Sequence, residues 1–530
     1  MNLVEYVFST TRASGVEART AVACGGRQLS YSQLLVAVRR FGGALRSLGV
    51  RRGERVAIVS ADCTEFVAAF LGTAAVGSVA VPASTLATPA ELEYVLSHCG
   101  ARAVVVTGDQ LDKLRSIRGS LPRLETVLLV GSQEAKAGSG EADDGVLNFD
   151  EAASGVLGFD EAVGAACEAE IEDVDDETPA FILYTSGSTG RPKGATHVHR
   201  SLPYTVETYC KRVLRVSHED RLFSSSRLFF AYGLGNSLSF PLSSGATSIL
   251  CRERPTPQTI AEVFEREKPS IFFAVPAVFR ALLEHCARSG ELKTGSIRFC
   301  VSAGERLPER IYREWRALTG LDILDGIGST EMLHMFFSNT RERIKPGSSG
   351  EAVPGYEARL VDREGREVEG AGDLFVKGRS AAVGYWNEPE KTADAMRGGW
   401  IRTGDIYRRD AEGFYWFEGR GDDLFKVKGM WVFPSEIEDA LLSHPEVQEA
   451  AVVPRSDADG FNSVVAFVIV KSDSKGDAAL SEKLKAHLSM TLPPHKRPSE
   501  FRFAKSLPRT ATGKLQRFKL REELNATPNT

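Results

Sequence analysis

One loop of the sequence combines small residues, hydroxyl groups and a cation in an order that suits phosphate binding. It runs Tyr184-Thr-Ser-Gly-Ser-Thr-Gly-Arg-Pro-Lys-Gly194 and follows an apolar run, Ala180–Leu183, that predicts a buried strand. Its glycines let backbone N–H groups converge on an anion without interference from a Cβ atom. The hydroxyls add hydrogen-bond donors, and Lys193 adds a point charge. The loop therefore predicts a site for a phosphate-containing ligand.

Two common phosphate-binding patterns do not fit this loop. The GxxxxGK[ST] pattern of P-loop nucleotide-binding proteins fails because Pro192 and Lys193 follow Gly190-Arg191. The GxGxxG pattern of dinucleotide-binding proteins fails as well. The loop therefore belongs to neither of these classes.

The loop closely resembles the phosphate loop of the acyl-adenylate-forming superfamily, which comprises acyl- and aryl-CoA ligases, carrier-protein adenylation domains and luciferases. Four further motifs of that superfamily follow in the same order along the chain. They are Gly326–Glu331 (GIGSTE), Arg402–Asp405 (RTGD), Gly419–Gly429 (GRGDDLFKVKG) and Pro508–Lys514 (PRTATGK). Because the five motifs span about the last two-thirds of the chain, the sequence is identified as a member of this superfamily.

The resemblance implies which residues hold ATP or AMP and a magnesium ion. Glu331 would bind Mg²⁺, a hard cation that prefers a carboxylate oxygen beside a triphosphate. Asp405 would accept hydrogen bonds from the ribose hydroxyls, and residues 303–305 would form the adenine slot. The full set of nucleotide-binding residues implied in this way is Thr185, Ser186, Gly187, Ser188, Thr189, Gly190, Lys193, Ala303, Gly304, Glu305, Asp325, Gly326, Thr330, Asp405 and Arg420.

The resemblance also implies that the C-terminal part carries catalytic residues and changes its orientation between two half-reactions. Lys514 would bridge the carboxylate and the α-phosphate in the first half-reaction. Asp422 would be the pivot, because an exposed polar residue can absorb a large change in φ and ψ. In the second half-reaction Lys426 would assist, and Gly429 would let the thiol arm of coenzyme A pass close to the backbone.

The acid that the resemblance implies is aromatic. The segments Leu228–Gly235 (LFFAYGLG) and Met332–Phe336 (MLHMF) resemble those of benzoate-CoA ligases, and we interpret the second one as a helix. Ala231 stands where amino-acid adenylation domains carry an Asp that pairs with the α-ammonium group, which argues against that subfamily. The residues that would line a short, flat, mostly apolar slot are Phe230, Ala231, Tyr232, Gly233, Ile327, Gly328 and His334.

The implied function is the ATP- and Mg²⁺-dependent activation of an aromatic acid, followed by transfer to coenzyme A. Benzoate, anthranilate and hydroxybenzoate remain open as substrates. They differ in one ring substituent, and a single hydrogen bond to that substituent is enough to discriminate between them. An alternative acceptor is the phosphopantetheine of a separate carrier protein. A non-catalytic nucleotide-binding module is disfavoured because both Glu331 and Lys514 are present.

The elements that must position these residues indicate an α/β protein. Apolar, strand-like runs alternate with helical patterns, as in Arg55–Ser60 and Arg102–Thr107, each followed by a helix. Such alternation predicts parallel sheets covered by helices on both faces. From about 340 to 420, short strands and glycine turns predict a small barrel or antiparallel sheet. With the resemblance, we predict a large domain, 1–421, of two doubly wound sheets plus a small β-barrel, and a small, mobile α+β domain, 422–530.

Composition and charge exclude several other classes of protein. The 530 residues are 42% hydrophobic and 25% charged, which is typical of a globular enzyme, and the net charge of −5 leaves no basic excess for nucleic acid or an anionic membrane. The uncharged stretch between Glu65 and Glu91 is interpreted as a buried helix, a glycine turn and a buried strand. With no signal-peptide pattern and only scattered cysteines, the expected location is cytoplasmic. We attach no function to a short duplication within 145–164.

Overall fold

A computed structural model describes residues 1–131, 156–185, 191–289, 292–362, 364–428, 430–457, 462–471, 474–509 and 515–526 of the chain. The chain divides into two compact units. The first unit comprises Met1–Pro346, Gly350–Glu357 and Val376–Ile401, and the second comprises Gly347–Ser349, Ala358–Phe375 and Arg402–Thr530. The expected domain boundary between residues 421 and 422 stays a prediction.

One sheet of the first unit has eight strands. In spatial order they are Gly384–Tyr385, Lys193–Val198, Pro179–Thr185, Val79–Pro82, Arg55–Val59, Ala101–Thr107, Thr126–Val130 and Val156–Gly158. The last six of these are parallel, and the first two each pair antiparallel with the next strand. The phosphate loop joins the second and third strands of this order, so the sheet determines where both ends of the loop lie.

The second sheet of this unit has nine strands and again a parallel centre. In spatial order they are Glu351–Ala352, Met335–Ser338, Ile323–Gly328, Phe299–Ser302, Ile271–Ala274, Arg221–Ser224, Thr247–Leu250, Thr20–Cys24 and Arg27–Ser30. The strands from the third to the eighth are parallel to their neighbours. The prediction of two doubly wound sheets is therefore confirmed.

Helices cover these two sheets. The α-helices of the first unit are Leu3–Ser14, Tyr31–Ser47, Thr64–Ala75, Pro89–Cys99, Gly108–Ile117, Phe159–Ala165, Ser201–Thr205, Ala231–Leu234, Phe240–Ser244, Pro257–Glu267, Pro276–Ser289, Glu309–Thr319 and Pro389–Ala395. Two stretches, Val206–Leu214 and Gly235–Ser239, are π-helical. Arg118–Ser120 forms a 3₁₀ turn.

The long uncharged stretch folds as the sequence predicts. Helix Thr64–Ala75 is buried over its whole length, Gly77 makes the turn with a φ of 69°, and the buried strand Val79–Pro82 follows. None of the helices in the described part of the chain is both long and apolar enough to cross a membrane.

The stretch from about 340 to 420, predicted to contain short strands and glycine turns, carries a small separate sheet between Glu357 and Arg420. Its five-stranded sheet has the order Glu357–Val361, Gly372–Lys377, Trp400–Arg409 and Met396–Arg397, with Tyr415–Arg420 paired to Trp400–Arg409. The two pairings of Trp400–Arg409 with Met396–Arg397 and with Tyr415–Arg420 are antiparallel.

The C-terminal part of the second unit is a compact α+β structure, again as predicted. Its hairpin consists of Phe425–Val427 and Met430–Val432, and its three-stranded sheet has the order Val447–Ser456, Asn462–Val470 and Glu500–Phe503. Its helices are Pro434–Leu442, Ala478–Ser489 and Arg517–Ala526, with a 3₁₀ turn at Pro494–Lys496. Apolar side chains from the hairpin, the sheet and the first two helices share one buried core.

Candidate active site

The strands on either side of the phosphate loop hold its ends opposite each other. Strand Pro179–Thr185 pairs with strand Lys193–Val198, and Thr185 is the register partner of Lys193. A Cβ atom on Gly194 would lie 2.8 Å from a methyl group of Ile182, so glycine permits this close packing. Outside the described residues lie the predicted phosphate ligands Ser186, Gly187, Ser188, Thr189 and Gly190.

Glu331 and Lys193 meet at a tyrosine that the sequence analysis did not identify. The hydroxyl of Tyr385 donates a hydrogen bond to Oε1 of Glu331 at 2.7 Å. Nζ of Lys193 lies 3.3 Å from the same hydroxyl oxygen and 4.4 Å from the centroid of the tyrosine ring. The structure therefore brings together two residues predicted for the nucleotide site, one from each of two motifs.

The backbone beside Glu331 is held by a buried histidine. Nε2 of His197 lies 2.8 Å from the carbonyl oxygen of Thr330, another predicted nucleotide residue. Burial lowers the pKa of His197 to about 4, so the imidazole is neutral and its Nε2–H donates to this carbonyl. The turn that presents Glu331 is thus tied to the strand that follows the phosphate loop.

The residues present fit a magnesium ion. The half-buried carboxylate of Glu331 is a hard oxygen ligand of the kind that Mg²⁺ prefers, and it lies close to the lysine of the phosphate loop. In the described ranges no group of three or more His, Cys, Asp or Glu side chains could hold a metal ion. Glu331 is thus the residue that would hold Mg²⁺ beside the phosphates.

The predicted adenine slot, residues 303–305, follows strand Phe299–Ser302. Gly304 has a φ of 91°, a left-handed conformation that favours glycine. Oδ2 of Asp325 accepts a hydrogen bond from the backbone N–H of Leu307 at 3.3 Å, and burial raises the pKa of Asp325 to about 7. Asp325 therefore supports the turn that carries Ala303 and Glu305. Its neighbour Gly326 leaves no room for a Cβ atom, which would lie 2.5 Å from a carbonyl oxygen.

Three of the predicted acid-pocket residues lie together. The ring centroids of Tyr232 and His334 are 5.6 Å apart. A Cβ atom on Gly328 would lie 2.4 Å from the carbonyl oxygen of His334, so the strand end and the histidine are in close contact. The hydroxyl of Tyr232 donates to the carbonyl oxygen of Val301 at 3.2 Å. The phenol ring and the imidazole therefore lie beside each other, with Gly328 against the backbone of His334.

The other predicted pocket residues lie on or next to the elements that carry Tyr232 and Gly328. Phe230 packs its ring on Phe229, with centroids 4.5 Å apart, directly before helix Ala231–Leu234, which Ala231 begins. A Cβ atom on Gly233 would lie 2.0 Å from a backbone carbonyl oxygen, so only glycine fits there. Ile327 lies in strand Ile323–Gly328 opposite Phe337.

The interpretation of Met332–Phe336 as a helix is wrong. Glu331 and Met332 lie in a turn, and strand Met335–Ser338 pairs antiparallel with Ile323–Gly328. Leu333, buried and directly before His334, has a φ of 66°. A left-handed leucine reverses the chain and costs backbone energy, so the surrounding packing must hold it there. This turn is what directs His334 towards Tyr232.

The polar partner of His334 is Asn236, which the sequence analysis missed. Nε2 of His334 lies 3.2 Å from Oδ1 of Asn236. Burial lowers the pKa of His334 to about 3, so the imidazole is neutral and Nε2–H donates to Asn236. Within the described residues, Nδ1 of His334 and Nδ2 of Asn236 are buried without a hydrogen-bond partner. Asn236 directly follows the LFFAYGLG segment, and this position was the only signal for it.

The first residue of the Leu228–Gly235 segment is held by a buried carboxylate that the sequence analysis also missed. Oδ1 of Asp62 accepts a hydrogen bond from the backbone N–H of Leu228 at 3.1 Å. Burial raises the pKa of Asp62 to about 6, against the influence of Arg227, whose Nη1 lies 3.8 Å away. Arg227 also donates to the carbonyl oxygens of Cys251 and Glu253. No local pattern predicts this long-range support.

In the second unit, the predicted ribose ligand Asp405 lies opposite Arg420. The two residues are register partners on neighbouring strands, and Nη1 of Arg420 lies 2.9 Å from Oδ1 of Asp405. Asp405 is buried, and this pair raises the pKa of Arg420 against the effect of its burial. Two residues predicted for the nucleotide site are therefore adjacent within this unit.

The predicted pivot and the helper lysine follow directly. Asp422 is exposed in the 3₁₀ turn Gly421–Asp423. Nζ of Lys426 lies 4.8 Å from the ring centroid of Trp431, and Asn462 donates to the carbonyl oxygen of Lys426 at 3.1 Å. Gly429 and Lys514 lie outside the described residues.

Comparisons with known proteins agree across the chain. Residues 10–386 match the family model of the AMP-binding enzyme, and residues 436–514 match that of the AMP-binding enzyme C-terminal domain. A benzoate-CoA ligase of Thauera aromatica is 41% identical over 526 residues, which cover 98% of this chain and 95% of the relative.

Two solved structures share the fold at similar identity. The structure of the anthranilate CoA ligase AuaEII in complex with anthranoyl-AMP has a TM-score of 0.90 at 36% identity and covers 99% of this chain and 97% of its own. A benzoate CoA ligase from Burkholderia xenovorans has a TM-score of 0.87 at 39% identity, covering 98% of this chain and 100% of its own.

Proposed function

This chain belongs to the family of AMP-binding enzymes, and on that premise we propose that it is an AMP-forming aryl-CoA ligase. It activates benzoate or a substituted benzoate with ATP and transfers the aryl group to coenzyme A. The names of its relatives, benzoate-CoA ligase and anthranilate CoA ligase, support this substrate class.

The observation that carries the proposal is the grouping of Tyr232, Gly328 and His334. An aromatic ring beside an imidazole, with a glycine against the backbone of that histidine, suits a flat aromatic acid. Ala231 offers no charge for an α-ammonium group, and an unpaired buried cation is costly, which disfavours amino acids.

The proposed reaction has two steps. A carboxylate oxygen of the acid attacks the α-phosphorus of ATP, the bond to the β-phosphate oxygen breaks, and pyrophosphate leaves with the electron pair. The thiol of coenzyme A then attacks the carbonyl carbon of the aryl-adenylate, loses its proton, and AMP leaves. The first step needs no general base because the nucleophile is already ionised, so positioning and charge stabilisation supply the catalysis.

Residue roles in this reaction are part of the proposal. Lys193 and the hydroxyl-rich loop bind the phosphates, Glu331 binds Mg²⁺, and Asp405 with Arg420 binds the ribose. Lys514 stabilises charge between the carboxylate and the α-phosphate. Lys426 assists the second step, with Gly429 lining the thiol channel and Asp422 as pivot.

A panel of acids tests the proposal. Pyrophosphate release with ATP and Mg²⁺ is measured for benzoate, 2-aminobenzoate and 4-hydroxybenzoate. Cyclohexanecarboxylate serves as a matched control of similar size without an aromatic ring, and octanoate and phenylalanine represent the other subfamilies. We expect kcat/KM for the best aromatic acid to exceed that for cyclohexanecarboxylate by about tenfold or more. A preference for aliphatic acids over every aromatic acid would contradict the proposal.

The acceptor is tested separately. Aryl thioester formation is compared with coenzyme A and with a purified carrier protein that bears phosphopantetheine. The names of the relatives favour coenzyme A. If the aryl group passes only to the carrier protein, the protein is a stand-alone aryl adenylase and not a CoA ligase. The proposed first step, formation of the aryl-adenylate, would still hold.

A further inference from the structure

A short segment, residues 382–386, connects two parts of the nucleotide site. Its backbone N–H groups donate to the carbonyl oxygen of Glu331 at 2.7 Å and to those of Gly194 and Thr196 at 2.7 and 2.9 Å. The first of these carbonyls belongs to the motif with the proposed metal-binding carboxylate, and the other two belong to the last residue of the phosphate loop and to the strand that continues from it. The segment therefore fixes the spacing of the two motifs through its backbone.

Tyr385 is the side chain of this segment that lies between the two motifs. Its residue pairs with Ala195 in the strand that follows the phosphate loop, and its backbone N–H donates to Oγ1 of Thr392 at 2.8 Å. The side chain is buried, with 6% exposed. Both its backbone and its ring are thus held in place, and the hydroxyl has a defined position.

The hydroxyl of Tyr385 serves two charged groups at once. A phenol has one proton to donate and lone pairs to accept with, and here it donates to Glu331 and accepts from Lys193. The ammonium group also lies over the ring, where the ring quadrupole attracts it.

Without this hydroxyl, the ammonium of Lys193 and the carboxylate of Glu331 would attract each other directly. A direct ion pair would occupy both groups before the nucleotide arrives. We propose that Tyr385 is a positioning residue for nucleotide binding: its hydroxyl separates Lys193 from Glu331 and leaves the ammonium available to phosphate and the carboxylate available to Mg²⁺. This inference rests on the proposed function, which assigns those two roles.

Tyr385→Phe tests the inference, because it removes the hydroxyl and keeps the ring. The dissociation constant of ATP is measured by calorimetry without and with Mg²⁺, and KM values are measured for ATP and for benzoate. We expect ATP to bind about tenfold more weakly in both conditions, because the nucleotide must first displace the direct ion pair between Lys193 and Glu331. KM for benzoate is expected to stay within about twofold, since the acid pocket does not include Tyr385.

A double-mutant cycle with Glu331→Gln tests the route of the effect. A neutral amide does not form an ion pair with Lys193, so the hydroxyl has less to separate in this background. We therefore expect Tyr385→Phe to change the affinity for Mg²⁺-free ATP by less than about twofold when Glu331→Gln is present. The same tenfold loss in both backgrounds would overturn the inference.

Tyr356→Phe is the matched control, because the hydroxyl of Tyr356 is also buried but hydrogen-bonds to Ser380 at 2.8 Å. It is expected to leave ATP binding unchanged. ATP affinity of Tyr385→Phe within twofold of the unmodified protein would overturn the inference. Absence of pyrophosphate release by the unmodified protein with any aromatic acid would instead contradict the proposed function, which this binding measurement does not require.

Discussion

His334 occupies its position because Gly235 has no side chain. A Cβ atom on Gly235 would lie 2.2 Å from Cδ2 and 2.6 Å from Nε2 of the imidazole. The backbone of Gly235 is right-handed helical, with a φ of −61°, so alanine would meet no backbone strain there. An alanine at this position would therefore clash with the ring of His334 and displace it from Asn236.

We expect Gly235→Ala to impair acid binding selectively. Overpacking a buried site costs about 1–3 kcal/mol, and the displaced imidazole changes the proposed acid pocket, so KM for benzoate should rise about tenfold. KM for ATP should stay within about twofold, because the three atoms nearest the added Cβ atom all belong to the ring of His334 and none to Lys193 or Glu331. Pyrophosphate release at varied acid and at varied ATP measures both values.

Gly164→Ala is the control for this substitution. Gly164 lies in helix Phe159–Ala165, and no atom lies within 4 Å of the position of an added Cβ atom. It should leave both KM values unchanged. An equal rise of the two KM values in Gly235→Ala would show general loss of structure and contradict the specific role of the imidazole contact.

The first helix, Leu3–Ser14, is docked at its N-terminus by side chains from distant elements. The backbone N–H of Leu3 donates to Nδ1 of His199 at 3.1 Å, and Nδ2 of Asn2 donates to the carbonyl oxygen of Ala74 at 2.9 Å. His199 is fully buried, and burial lowers its pKa to about 4. Protonation would remove the lone pair that accepts from Leu3, so the folded state excludes the charged imidazole.

This element therefore links stability to pH. Because the pKa of His199 is lower in the folded state than its ordinary value of 6.5, the unfolded state binds more protons between pH 6.5 and 4. The contribution of neutral His199 to the free energy of unfolding is fully present above pH 6.5 and is lost as the pH falls towards 4. The loss amounts to about 3 kcal/mol in the free energy of unfolding.

His199→Asn isolates this contribution, since the asparagine Oδ1 can accept from Leu3 but does not titrate. Urea unfolding at pH 7, 5.5 and 4.5 should show a weaker dependence on pH in the variant than in the unmodified protein. The exposed His218 provides the control, and His218→Asn should leave the dependence unchanged. Parallel curves for His199→Asn and the unmodified protein would contradict this linkage.

Elements with a strong local signal could be predicted from the sequence. The strand predicted at Arg55–Ser60 is Arg55–Val59 in the structure, and that predicted at Arg102–Thr107 is Ala101–Thr107. Short β-branched runs bounded by polar residues indicate buried parallel strands almost irrespective of context. The order of the nucleotide motifs along the chain follows from the resemblance, and these elements determine where the described motif residues lie.

The remaining features depend on packing between distant residues. The turn at Leu333 replaces a predicted helix because a left-handed leucine is stable only against its tertiary surroundings. The π-helical turn Gly235–Ser239, which carries Asn236, has no period that a short sequence reveals. Tyr385 and Asp62 lie 54 and 166 residues from their partners Glu331 and Leu228, so no local pattern connects them.

At the scale of the whole molecule, the proposed alternation between half-reactions requires a defined hinge. Arg420 is paired with Asp405 at 2.9 Å, which ties the end of strand Tyr415–Arg420 to its neighbour. Asp423 is paired with Arg517 and Arg521, each at 3.2 Å, which ties it to the C-terminal helix. Between these two anchors lie only Gly421 and the exposed Asp422, and we place the proposed hinge at these two residues.

Asp422→Pro is expected to spare one half-reaction and impair the other. Proline fixes φ near −65°, which suits the 3₁₀ turn Gly421–Asp423, so the substitution preserves this conformation and opposes any other. One of the two rates, pyrophosphate release or thioester formation from supplied aryl-adenylate and coenzyme A, should change less than about threefold while the other falls about a hundredfold. Ala411→Pro, at the second position of the exposed turn Asp410–Gly413, is the control, and both of its rates should stay normal. The two half-reactions need different orientations of the C-terminal part, so a hinge fixed in one orientation slows only one of them. Equal loss of both rates in Asp422→Pro would therefore mean that the hinge is not at Asp422.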